Sequence, residues 1–348
     1  MEKTIENQLK SSKQNPFSKF TFLSSDRLKL RKPEWLVENI LESNSIGMIY
    51  GKPASGKSFL GLDLGACVAS GMDWHGNRVK RGGVLYFVGE GLQGIVRRKS
   101  AWETARGASL NNSMFFSNLP VDLCDKGEVL PSVNEEIHKI SEKLEIKLLV
   151  VDTLSRHYSG DENVAGDMAE FIAGIDFLKN ESGCAVLLVH HSGKDDARGA
   201  RGSSALLAAL DTEILVKKTE EKILMTNTKQ KDFELFDERA FRLTKVPLLD
   251  GEGKELVDDY GKPITSCVLE ETEVPVGEKQ SPNLGIHQQS FKDCFEEMSN
   301  QGQQAVSLED LKSKSKVPVK RWTELMKSKY VNENHEINGD SIRLRDSQ

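Results

Sequence analysis

Gly51-Lys52-Pro53-Ala54-Ser55-Gly56-Lys57-Ser58 satisfies the pattern G-x-x-x-x-G-K-[ST], with an apolar run before it (Ile46–Tyr50) and a helix-length segment after it (Phe59–Ala69). Residues of these types at this spacing bind phosphate. The two glycines let the backbone curl so that successive N–H groups converge on the β- and γ-phosphates. The following helix adds the positive end of its dipole. Lys57 supplies a point charge to the phosphate oxygens, and the Ser58 hydroxyl is a ligand for Mg²⁺. A second acid belongs with it: Lys147-Leu148-Leu149-Val150-Val151-Asp152 is a short apolar run that ends in a carboxylate. Asp152 at a strand end would hold Mg²⁺ together with Ser58. The expected ligands are ATP and Mg²⁺.

Glu90 follows the apolar run Val84–Val88, within Gly89-Glu90-Gly91. Ligands of open α/β sheets bind at the carboxyl ends of strands, where a carboxylate can take a proton from an attacking water, so Glu90 is the general-base candidate. Gly89 to Gly94 also spells G-x-G-x-x-G. A dinucleotide site is rejected there, because the acid between the first two glycines would repel a pyrophosphate and no acid stands ~20 residues on to take a ribose hydroxyl.

The elements that must position these residues follow from the hydropathy pattern. Ile46–Tyr50, Val84–Val88, Leu148–Asp152 and Ala185–Val189 are apolar throughout rather than alternating, with helix-length segments between them. Strands buried on both faces have this character, and their repetition predicts a doubly wound, mainly parallel α/β sheet with flanking helices. Thr212–Lys217 and Lys222–Lys229 predict an antiparallel hairpin that closes it. The expected divisions are an N-terminal extension (1–40, with a short anchoring element near Trp35–Leu41), an ATPase core (41–247), an acidic linker (248–285) and a C-terminal unit (286–348), with no internal repeats.

The 348 residues carry 47 basic and 53 acidic side chains, a formal net charge of −6. Residues 250–279 alone hold nine acids and three bases. That stretch accounts for the whole deficit, so the acidic average does not exclude a nucleic-acid partner. No apolar run approaches the ~18–20 residues that cross a bilayer, and no secretory leader is evident. The five cysteines form no Cys-x-x-Cys pair. A cytoplasmic chain with no membrane partner, no disulfide framework and no structural zinc is expected.

The order GKPASGKS, Glu90, LLVVD, then AVLLV ending in His190-His191 resembles the RecA-like ATPases, and within them the RepA-like branch of hexameric replicative helicases, over about residues 35–245. The resemblance implies a polar γ-phosphate sensor after the fourth strand, with His191 favoured over His190. It implies a DNA-gripping loop just downstream, Gly193–Gly202, with Lys194, Arg198 and Arg201. It also implies that Lys229 and Lys231 reach the γ-phosphate of a neighbouring subunit. Lys231 departs from the family's arginine, so it is either a weaker trans charge, without bidentate geometry, or that charge comes from elsewhere. The partners implied are single-stranded DNA, further copies of the chain in a hexamer, and a replication initiator, primase or loader. A recombination or repair accessory and an ATP-gated DNA-binding regulator are the alternative readings.

The C-terminal unit reads helix, turn, helix over Val306–Tyr330, with Ser307 and Asp310 as a capping box and a short β wing over Val331–Leu344. Six basic residues stand against one acid between Lys314 and Lys329. This resembles a winged helix-turn-helix that binds DNA, with a protein-docking module as the alternative.

Overall fold

A computed structural model describes residues 22, 24–28, 30, 32–89, 91–193, 202–219, 221–274, 286–299, 306–315, 317, 319–326, 331, 335–338 and 340–344. The chain forms two units, Met1–Pro275 and Val276–Gln348. In the first, a small hairpin, β1 (Trp35–Val37) with β2 (Leu41–Glu42), precedes β3 (Ile46–Gly51), α1 (Lys57–Ser70), β4 (Gly83–Val88), α2 (Leu92–Arg106), β5 (Met114–Phe116) and α3 (Val129–Ser141). Then come β6 (Ile146–Asp152), α4 (Ala165–Ser182), β7 (Ala185–His191), α5 (Ser204–Ala209), β8 (Thr212–Lys218), β9 (Ile223–Gln230), β10 (Arg239–Pro247) and β11 (Thr265–Thr272). Nine of these strands make one sheet, in the order β11-β10-β9-β8-β3-β7-β6-β4-β5. The segment from β8 to β5 is parallel, and β9 to β11 extend it antiparallel. The expected RecA-like doubly wound fold is therefore present, with a wider antiparallel flank than a single hairpin.

The four predicted strands are buried along both faces because successive side chains point to opposite sides. Ile49, Tyr86, Val150 and Val189 pack with α1 and α2, while Met48, Phe87, Val151 and Leu188 pack with α3 and α4. α1 is buried almost all round, from Leu60 to Ala69. Strands lie on one side of it, and Leu36, Trp74 and the β11 residues Val268 and Leu269 share its core. A carboxylate sits in that core. Asp63 of α1 is 2% exposed. It accepts hydrogen bonds from the indole N–H groups of Trp74 and Trp102, each at 2.9 Å, and pairs with His75 Nε2 at 2.8 Å. A buried carboxylate persists only with such partners, and these fasten the helix that leaves the phosphate loop to α2 and to the 71–82 connection.

Two expected boundaries shift. Leu36, Val37 and Ile40 are core residues, at most 1% exposed, so the core begins before residue 41. Residues 248–274 are not a linker: β11 pairs with β10 across eight residues, Ala240↔Thr272 to Pro247↔Thr265. The acids that suggested a linker do turn chemistry instead, in a tandem repeat that the composition concealed. Asp250 Oδ1 accepts from the N–H groups of Glu252 and Lys254, and Asp258 Oδ1 from those of Tyr260 and Lys262, all at 2.9 Å. Leu248, Leu256 and Ile264, spaced eight apart, are joined in a ring of backbone bonds: Leu256 N–H to Leu248 O, Ile264 N–H to Leu256 O, and Leu248 N–H to Ile264 O.

The second unit holds α6 (Ile286–Ser299), β12 (Val306–Ser307), α7 (Leu308–Lys314), α8 (Val319–Met326), β13 (His335–Asn338) and β14 (Ser341–Leu344). Its three strands pair in the order β12-β14-β13 around Phe291, Phe295, Leu311, Trp322 and Ile342. This is a small α+β unit of the expected kind, with β12 unanticipated. The Ser307 hydroxyl caps α7 by accepting from the Asp310 N–H at 3.4 Å. Of the basic residues expected to read DNA, Lys316, Lys327 and Lys329 lie outside the described residues.

Candidate active site

The carboxyl ends of β3, β7, β6 and β4 stand side by side, with Gly51 opposite His191, Asp152 opposite Val189, and Val88 opposite Asp152. β7 lies between the phosphate-loop strand and the carboxylate strand. The Ser192 N–H donates to the Gly51 carbonyl at 3.1 Å, which holds the turn after β7 against the start of the loop. This is the edge at which open α/β sheets bind ligands.

Gly51 is required where it stands, because a Cβ there would lie 2.1 Å from the Val216 carbonyl oxygen. Lys57 and Ser58 open α1, and Gly56 before them is left-handed, with φ 100°. Lys57 is 5% exposed, and its ammonium donates to the Gly51 and Lys52 carbonyls at 3.0 and 2.8 Å. The cation is thus held inside the ring of backbone that the phosphates would occupy. Ser58 Oγ donates to Asp152 Oδ1 at 3.1 Å, so the hydroxyl and carboxylate predicted to share a metal are in contact. The other carboxylate oxygen, Oδ2, accepts from the Tyr86 hydroxyl at 2.5 Å. Tyr86 was not anticipated, although its position two residues before Val88 on a both-face-buried strand aims its hydroxyl at the same face as Asp152.

A cavity of about 330 Å³ opens beside Asp152, lined by Tyr86, Val88, Gly91, Gln93, Arg97 and Arg98 among others. Arg98 lies over the Phe59 ring, 4.8 Å from its centroid, next to Ser58 in sequence. Glu90, the general-base candidate, lies outside the described residues; Gly89 before it is held at both ends. Its N–H donates to the Asp152 carbonyl at 2.6 Å, and its carbonyl accepts from Arg156 Nε at 2.8 Å. Arg156 sits in a 3₁₀ turn, Leu154–Arg156, just after β6, so one short segment fixes both Asp152 and the peptide that leads into Glu90. No sequence pattern pointed to it. Arg156→Ala should lower kcat about tenfold with KM little changed, since it loosens the approach to the reacting water rather than nucleotide binding. Steady-state ATPase kinetics check this, and a change confined to KM would refute it.

His190 and His191 point to opposite faces of β7. His190 is fully buried on the α4 side with Leu188, and His191 lies on the phosphate-loop side with Val189. The structure thus brings His191, and not His190, to the nucleotide edge. Lys194, Arg198 and Arg201 lie outside the described residues, so the expected DNA loop has only its ends, Gly193 and Gly202, described. Lys229 and Lys231 are not brought to this chain's own phosphate loop. Lys229 pairs across to Glu213, which aligns with Met48; that is three residues, or about 10 Å, short of Gly51 along the strand. Lys229 donates to the Leu207 carbonyl at 2.7 Å, and Lys231 lies 3.4 Å from Asp211 Oδ1.

The residues present fit a magnesium nucleotide. Ser58 and Asp152 would hold the ion, whose chemistry is to neutralise charge on the β- and γ-oxygens. The Ser55 hydroxyl is 2% exposed and has no hydrogen-bond partner among the described residues. Burial pushes the Cys184 thiol up to about 11, and Cys124 likewise to about 11. Fold and site together define a P-loop ATPase. A family model described as an AAA domain matches residues 13–197. That is more than half of the chain, and the chain belongs to this family. No described helix is long and apolar enough to cross a membrane.

Proposed function

We propose that the chain is an ATP-driven motor of the RepA-like type, which assembles as a hexameric ring and translocates on single-stranded DNA as a replicative helicase. The observation that carries this reading is the position of β7 between β3 and β6, which sets His191 beside Gly51 and on the same face as Asp152. A histidine there can donate to a γ-phosphate oxygen and loses that partner on hydrolysis, which makes a two-state element out of the strand end. Lys57 and Ser58 bind the nucleotide, Asp152 positions Mg²⁺, and Glu90 orients the water. Lys194, Arg198 and Arg201 grip the strand. Lys229 and Lys231, remote from their own phosphate loop, serve a neighbouring subunit's site. A replication initiator, primase or loader would bring the ring to DNA.

The test is a forked-duplex unwinding assay with MgATP, beside a mass measurement of the assembled protein. Unwinding by a hexamer is the expected result. Single-strand affinity should fall with log[salt] at a slope of about −0.7 per phosphate contacted. A monomer, or a ring that hydrolyses ATP and leaves the fork intact, would sink the helicase reading.

A further inference from the structure

Between β6 and α4 the chain makes a tight turn at Asp161–Asn163. Asp161 Oδ1 accepts from both the backbone N–H and the side-chain amide of Asn163 at 2.9 Å, and the Asp161 N–H donates to Asp167 Oδ2 in the first turn of α4. Glu162, at the centre of this stapled turn, faces two ways. Its carboxylate lies 3.8 Å from Nε2 of the wholly buried His190, with its own side chain 13% exposed. Its carbonyl accepts the Ser203 N–H at 2.7 Å. Gly202, just before, is left-handed at φ 106°, and a Cβ there would lie 2.8 Å from that same carbonyl oxygen. Ser203 then caps α5, accepting from the Ala205 N–H at 3.2 Å. Glu162 therefore touches the end of β7 through its side chain and the start of α5 through its backbone.

We propose that Glu162 is a positioning residue that transmits the nucleotide state from the end of β7 to the Gly202–Ser203 junction and α5. The proposal rests on the reading of His191 as the γ-phosphate sensor. His191 and His190 are consecutive on one strand and face opposite sides of the sheet. A displacement of the strand end on the phosphate side is therefore also a displacement on the Glu162 side. The carboxylate at His190 and the carbonyl at Ser203 belong to one residue of a turn held rigid by Asp161, so the shift passes on rather than being absorbed.

Hydrogen exchange on the full chain tests this, comparing peptides over residues 202–209 with saturating Mg-ATPγS and with Mg-ADP. In the unsubstituted protein the two nucleotides should give exchange rates differing about fivefold in this segment. Glu162→Ala should abolish the difference while nucleotide affinity, read with a fluorescent ADP, stays within about threefold. Gly202→Ala attacks the same contact from the other side and should also abolish it, which keeps the test open if the first variant does not fold. An equal nucleotide difference in either folded variant overturns the proposal, as does its absence from the unsubstituted protein. His191→Ala separates the two readings: a difference that survives there but not in Glu162→Ala sinks the sensor role and leaves the Glu162 link standing. No DNA is present, so failure of the unwinding assay is a distinct result.

Discussion

Lys57→Ala should reduce ATP turnover by a factor of about 10³ or more, because it removes a buried ammonium that the phosphate loop encloses, at a point where charge is spread over the transferring phosphoryl group. The lysine is 5% exposed and held by the Gly51 and Lys52 carbonyls. It is therefore pre-oriented and largely desolvated before nucleotide arrives, and little of its interaction is screened by water. The fold should survive. Lys57 is the first residue of α1, alanine is the best helix former, and the two carbonyls lose one donor between them. A cost of about 1–3 kcal/mol for that loss is expected. Turnover measured beside thermal unfolding is the check. A folded variant that keeps a tenth of the activity would remove Lys57 from the catalytic assignment.

Asp152→Asn should cost about 10²–10³ in kcat and shift the Mg²⁺ dependence to higher concentration. The substitution keeps the shape and an oxygen for the Tyr86 hydroxyl and removes the charge that a hard cation requires. Ser58 and Tyr86 both donate to this carboxylate, on its two oxygens. They orient it in advance, so that no side-chain rearrangement is needed when the ion arrives. A magnesium titration of ATPase activity reads the effect. If turnover falls with the Mg²⁺ midpoint unchanged, Asp152 acts on something other than the metal.

The phosphate loop, Asp152 and the four central strands were legible in the sequence because each is local. A strand buried on both faces is written as an unbroken apolar run, and a phosphate loop as fixed spacing within eight residues. The antiparallel flank was less legible. β11 was hidden because Gly and acidic residues are common to linkers and to Asx turns, and only hydrogen bonds eight residues apart distinguish the two. Asp63 shows the same limit: an acid in an otherwise apolar helix reads as a solvent-facing position, and only the tertiary structure supplies Trp74, His75 and Trp102 around it.

Charge and its meaning divide in the same way. The net −6 belongs in full to residues 250–279 by sequence arithmetic. That residues 250–272 are folded turns and a strand, and no tether, was decided by the backbone bonds among Leu248, Leu256 and Ile264 and by the pairing of β11 with β10. Taken alone, the sequence singled out the residues proposed to bind phosphate and metal, since these lie within single loops and strand ends. The tertiary structure decided which histidine faces the nucleotide edge, that Tyr86 and Arg156 serve Asp152 and the Gly89 peptide, and that Lys229 stands apart from its own loop. The reason is strand order. Side-chain alternation and the insertion of β7 between β3 and β6 bring together residues more than a hundred positions apart, and no local pattern records that contact.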